Sequence, residues 1–174
     1  RQAAMKKQLL IVDGYNMIGA WQETHQLFQN NDLEQARDLL LKKLSDYAGF
    51  EGLEIICVFD AQFVPGVTSK FHVHNVLVIF TKEDETADSY IEKLAGKCNN
   101  VLTTVYVATS DLAEQWVIFS QGAMRIPARE LEERVNLRKQ DLTRHATSMT
   151  TQKPRTSWAD AQLDELKKLM FEIE

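Results

Sequence analysis

The chain has 174 residues, 44% of them hydrophobic and 26% charged, with a net charge of −5. That length accommodates one domain with a sizeable core, and the composition excludes disordered, fibrous and disulfide-rich classes. No apolar run approaches the roughly 20 residues of a membrane span, and the acidic balance argues against a generic nucleic-acid binder.

Residues 1–4, ahead of Met5, read as a remnant outside the fold. Lys6 and Lys7 precede too short an apolar run for a signal peptide, so a cytoplasmic protein is expected. Leu9-Leu10-Ile11-Val12-Asp13 lacks alternation, the pattern of a strand buried on both faces. Gly14-Tyr15-Asn16 reads as a turn and the stretch to about Asn30 as a loop. A helix is expected over 32–48, where Leu33, Ala36, Leu40, Leu44 and Tyr47 recur at helical spacing and Asn31 or Asp32 can cap it. Gly49 and Gly52 precede a second strand over 53–60, and Pro65-Gly66 marks a turn after it. A third strand is expected over 73–81. The acidic stretch Lys82-Glu83-Asp84-Glu85-Thr86-Ala87-Asp88 then leads into a helix carrying Ile91 and Leu94.

The fourth strand is expected over 101–109, followed by a helix over 111–121 that Gly122 terminates. Pro127 suits the first turn of a long polar helix to about His145. The domain is therefore drawn over 5–146, with a polar linker at 147–156 and a last helix at 157–174 introduced by Ser157 and Asp160. Strands alternating with helices predict an α/β layered fold with a mainly parallel sheet.

Every strand exits into acid: Asp13, Asp60 and Asp111 end the first, second and fourth runs, and Asp84, Glu85 and Asp88 follow the third. Ligands of a parallel sheet bind at its carboxyl edge, where these groups would meet. Carboxylates gathered there repel one another unless a cation lies among them, and an all-oxygen donor set suits Mg²⁺ or Mn²⁺. Such an ion activates water and stabilises a leaving oxygen, so phosphoryl transfer or phosphodiester hydrolysis is the expected chemistry. The plainer reading of an aspartate after a strand is a helix cap, and Asp111 taken alone fits either. Spacing does not choose among Asp84, Glu85 and Asp88.

Residues 125–155 hold eight Lys/Arg against four acids, a basic segment suited to a phosphate backbone or to a solvated helix. No glycine-rich phosphate cradle is present. His72 and His74 would share one side of a strand, as zinc ligands can, but read better as surface histidines. Cys57 and Cys98 read as buried free thiols. The tryptophans Trp21, Trp116 and Trp158 read as packing residues, with Trp21 the best candidate for base stacking.

The string Ile11-Val12-Asp13-Gly14-Tyr15-Asn16-Met17-Ile18 resembles the opening motif of NYN domains, a branch of the PIN-like metal-dependent ribonucleases. The likeness continues through Val58-Phe59-Asp60-Ala61, Phe80-Thr81-Lys82, Glu85-Thr86-Ala87-Asp88 and Ala108-Thr109-Ser110-Asp111. Gly19-Ala20-Trp21, Ala36-Arg37-Asp38 and Glu114-Gln115-Trp116 resemble the bacterial YacP-like subgroup. The resemblance implies a PIN-like α/β/α fold and a Mg²⁺- or Mn²⁺-dependent endoribonuclease. Asp13, Asp88 and Asp111 would be the principal acidic residues and metal ligands, with Asp60 a further member and Asn16 beside the centre. The subgroup also implies association with the ribosome and cleavage of translated mRNA.

Lys82, Arg125, Arg129 and Arg37 are the candidate RNA-backbone contacts. The rival from another class is a non-catalytic RNA- or ribosome-binding module on the same scaffold. A phosphatase of small substrates is a third, disfavoured by the lack of an Asp-x-Asp motif, since Gly14 and Tyr15 follow Asp13.

Overall fold

Alternate residues of the first strand face opposite ways, and both sets are buried. Leu10 and Val12 join one apolar cluster, and Leu9 and Ile11 join another. A strand covered on both faces needs a layer on each side, and the computed structural model, which describes residues 6–61, 70–112, 118 and 120–148, has that arrangement. Six strands run β1 (Lys7–Asp13), β2 (Glu54–Phe59), β3 (Lys70–Val73), β4 (Val76–Phe80), β5 (Thr103–Ala108) and β6 (Met124–Ile126). The five helices described are α1 (Gly14–Ala20), α2 (Gln22–Gln29), α3 (Leu33–Glu51), α4 (Ala87–Cys98) and α5 (Ala128–Ser148).

The sheet order is β3-β4-β2-β1-β5-β6, parallel except for the β3–β4 pair. One face packs against α1, α3 and α5 through Met17, Leu40, Leu44, Leu131 and Val135. The other packs against α4 through Tyr90, Ile91 and Leu94. The result is the three-layer α/β/α fold expected from the sequence.

Three expectations are corrected. The turn and loop expected over 14–30 are helices α1 and α2. Gly14 and Asn16 are weak helix formers, but burial of Met17 and Ile18 outweighs propensity in α1. Helix α2 is built largely of Gln, Glu and Leu, good helix formers whose polar surface resembles a loop. The third strand is a hairpin: His74 takes a left-handed conformation (φ 53°) between β3 and β4. His72 and His74 are both exposed and do not share a strand face, which removes the zinc reading. A short sixth strand, β6, extends the sheet between Gly122 and Pro127, where the sequence assigned no element.

Other details follow the sequence closely. Asp32 caps α3, accepting the Gln35 N–H at 3.3 Å, and Gly52 ends it at φ 69°. Pro127 sits just ahead of α5, its carbonyl accepting the Leu131 N–H at 3.1 Å. Cys57 and Cys98 are buried and free; burial pushes the Cys57 thiol up, and burial followed by the Glu54 charge pushes Cys98 up to about 12. Thr147 and Ser148 belong to α5. The rest of the expected linker, the helix over 157–174, Trp116 and Trp158 lie outside the described residues.

Trp21 is 1% exposed, and its Nε1 donates to the Ala128 carbonyl at 2.9 Å, tying the α1–α2 junction to the start of α5. It is a core residue, so its base-stacking role is withdrawn. Trp21→Phe loses that hydrogen bond and leaves a void, and should cost about 2 kcal/mol in urea unfolding. A cost below about 0.5 kcal/mol would show that the junction does not depend on it.

Candidate active site

The carboxyl edge of the sheet gathers the exits of β1, β2, β4 and β5, because parallel pairing keeps their ends level: Asp13 lies opposite Val58, and Val12 opposite Ala108. Asp13 ends β1 and is partly buried. Its carboxyl is pushed up to about 7, first by burial and then by the charge of Asp88, with a smaller push from Asp111. The Asn16 backbone N–H and the Thr109 hydroxyl act in the opposite sense. Thr109 Oγ1 donates to Asp13 Oδ2 at 3.5 Å, whereas the Asn16 N–H falls short of a formed cap hydrogen bond.

Asp13, Asp88 and Asp111 therefore share one electrostatic site. Asp88 is exposed in the first turn of α4, and Asp111 follows β5 partly buried. Asp60 is set differently. Its Oδ2 accepts the Ala87 N–H at 3.4 Å at the start of α4, and its charge acts on Tyr15. Among the described residues, no three His, Cys, Asp or Glu side chains form a ready-made metal-binding group. The donor chemistry still fits a hard cation that keeps several of its own waters, being oxygen-only and mutually repelling.

Asn16 lies on α1, three residues after Asp13, and its Oδ1 accepts the Ser110 N–H at 2.8 Å. It thereby couples α1 to the β5 exit. Arg125 Nε donates to the Thr109 carbonyl at 3.1 Å, which sets it beside the same exit. Arg37 Nη1 donates to the Tyr15 hydroxyl at 3.3 Å, and the Tyr15 ring lies 4.9 Å from that of Phe59. Lys82 is exposed in the loop after β4, and Arg129 is exposed on the first turn of α5. Glu85 pairs with Lys93 at 3.3 Å, while Asp84 is exposed in the same loop.

Two residues of the Ala108-Thr109-Ser110-Asp111 motif, with no role at the site assigned from sequence, organise this edge. Thr109 is fully buried, and its one hydroxyl donates to Asp13 and accepts the Asp111 N–H at 3.1 Å. Ser110 Oγ accepts the Ala128 N–H at 3.1 Å and so fixes the start of α5. The sequence signal for both is their place in the motif that ends on Asp111.

A sequence profile of the YacP-like NYN domain matches residues 10–171. The chain belongs to the YacP-like NYN domain family. That family sits within the PIN-like nuclease superfamily. Over 146 residues the chain is 49% identical to the uncharacterized protein YacP of Bacillus subtilis strain 168, covering 84% of this chain and 85% of that protein. The crystal structure of Rae1 (YacP) from Bacillus subtilis superposes with a TM-score of 0.73 at 44% identity, covering 95% of this chain and 89% of that one. The structure of a tryptophan-to-leucine mutant of Rae1 gives 0.73 at 43% identity, covering 93% and 91%. The six-stranded, mostly parallel sheet of this NYN domain agrees with those structures. No described helix is long and apolar enough to cross a membrane.

Proposed function

We propose that this NYN domain is a metal-dependent endoribonuclease that hydrolyses RNA phosphodiester bonds. The observation that supports it most is the state of Asp13: a carboxyl held near pKa 7 by burial and by two facing aspartates, at the ligand-binding edge of a parallel sheet. A fold gains no stability from such an arrangement, so it points to a reactive centre. Asp13, Asp88 and Asp111 would hold Mg²⁺ or Mn²⁺, directly or through water, and Asp60 would support the start of α4. When bound, the ion supplies Lewis acidity and a lowered water pKa.

The chain's own residues do the rest. Thr109 fixes Asp13 against the Asp111 backbone, and Asn16 holds the β5 exit against α1. Arg125, Arg37, Lys82 and Arg129 would bind and orient the RNA backbone, which fixes register without reading sequence. The ribosome and its mRNA, in the cytoplasm, are the setting that the subgroup resemblance implies.

The test incubates the protein with end-labelled RNA and with a phosphomonoester, each with Mn²⁺ or EDTA. Internal RNA cleavage with Mn²⁺ alone is expected. Hydrolysis of the phosphomonoester only would make it a phosphatase, and RNA binding without cleavage would make it a binding module.

A further inference from the structure

We propose that Thr81 is a positioning residue for this centre: its single hydroxyl clasps the chain after Asp60 to the loop that leads into α4, the helix that carries Asp88. The inference rests on the proposed reading of the strand-end aspartates as the reactive site. Thr81 stands one residue beyond β4 and is 1% exposed. Its N–H continues the sheet ladder to the Phe59 carbonyl at 3.0 Å, which holds the backbone in line with β2. Oγ1 then accepts the Ala61 N–H at 3.1 Å and donates to the Glu85 carbonyl at 2.8 Å.

The first bond fixes the chain immediately after Asp60. The second closes the loop over 82–85 and sets where Thr86 lies. Thr86 caps α4 by accepting the Ser89 N–H at 3.2 Å, and Asp88 is the second residue of that helix. The Ala87 N–H, reaching Asp60, completes the circuit. A buried hydroxyl used as donor and acceptor at once has only serine as a close substitute. Valine has the same shape but leaves an N–H and a carbonyl without partners. Thr109 joins Asp13 to Asp111 on the other side of the edge, so each half of the acidic site depends on one buried threonine.

The test compares full-length wild type, Thr81→Val and Thr81→Ser. The readouts are Mn²⁺ affinity by calorimetry, RNA kcat and KM, and amide exchange at Ala61 and Ala87. Thr81→Val should lose about 10–100-fold in Mn²⁺ affinity, with kcat lowered and KM for RNA nearly unchanged. Exchange at both amides should accelerate together in that variant, and Thr81→Ser should restore all three readouts. Wild-type behaviour of Thr81→Val would overturn the proposal, as would a Thr81→Ser variant that is folded but equally impaired.

Should Thr81→Val fail to fold, the unmutated protein decides. Ala61 and Ala87 should be protected together by at least about tenfold relative to Lys82, and an Ala61 amide exchanging as fast as Lys82 contradicts the clasp. Mn²⁺ binding without RNA cleavage by wild type would overturn the ribonuclease reading only, leaving the affinities of the two variants to judge Thr81.

Discussion

Asp13→Asn is expected to abolish RNA cleavage while making the metal-free protein more stable at pH 8. Folding raises the Asp13 pKa from 3.8 to about 7, so the folded state binds the proton more tightly than the unfolded chain. Stability from this group is complete below about pH 4 and is lost as pH rises through about 7. Above that, wild type carries a charged, partly buried carboxylate facing Asp88 and Asp111. The shift corresponds to about 4 kcal/mol as an upper bound, and solvent screening brings the expected gain nearer 2 kcal/mol.

Asparagine keeps an oxygen to accept from Thr109 but carries no charge. For a chain of this size the gain corresponds to roughly 4–8 °C in Tm. Glu54, at the opposite edge of the sheet, is also pushed up to about 7 by burial, with Lys7 opposing. The stability difference between wild type and Asp13→Asn cancels that contribution, so it should grow between about pH 4 and 7 and stay level above. A variant that is less stable than wild type at pH 8 in EDTA would remove the electrostatic argument for the site.

Gly14→Ala should disable the same site by packing. Gly14 is the first residue of α1, directly after Asp13, and a Cβ there would overlap the Phe59 ring. Phe59 is fully buried, with Tyr15 at 4.9 Å and Phe80 stacked at 5.4 Å, so the ring has no room to step aside. The displacement falls on α1, which carries Asn16 and its hold on the β5 exit. A loss of about 2–3 kcal/mol in urea unfolding is expected. Cleavage should fall by more than the folded fraction explains, because small displacements at a reacting centre are costly. Phe59→Leu in the Gly14→Ala background should recover part of both. Gly19→Ala, where a Cβ meets nothing within 4 Å, is the control and should be neutral or slightly stabilising. Equal behaviour of the two alanine variants would contradict the packing account.

What the sequence made legible follows from what each element buries. β1, β2 and β5 are continuous apolar runs because both faces are covered, and that pattern is visible without a structure. Their ends located Asp13, Asp60 and Asp111. α1 was hidden because Gly14 and Asn16 signal a turn, and only the packing of Met17, Ile18 and Trp21 makes it helical. The β3–β4 turn was hidden because His74 carries no turn signature yet takes φ 53°.

At the site, charge was easier to read than hydrogen bonding. A carboxylate after a strand is conspicuous, whereas a threonine there is ordinary. Only coordinates reveal that Thr81 joins the chain after Asp60 to the loop before α4 and that Thr109 joins Asp13 to Asp111. The different settings of Asp88, which acts on Asp13, and Asp60, which acts on Tyr15, also depend on three-dimensional placement.

The central claim is that Asp13, Asp88 and Asp111 form one cation-binding centre, and calorimetric titration with Mn²⁺ at pH 6 and pH 8 tests it most directly. The expected result is binding that strengthens from pH 6 to pH 8, with proton release near pH 7 as Asp13 gives up its proton, and at least about tenfold weaker binding after Asp13→Asn or Asp88→Asn. Binding that is absent in wild type, or that is unchanged by both substitutions, would contradict the account.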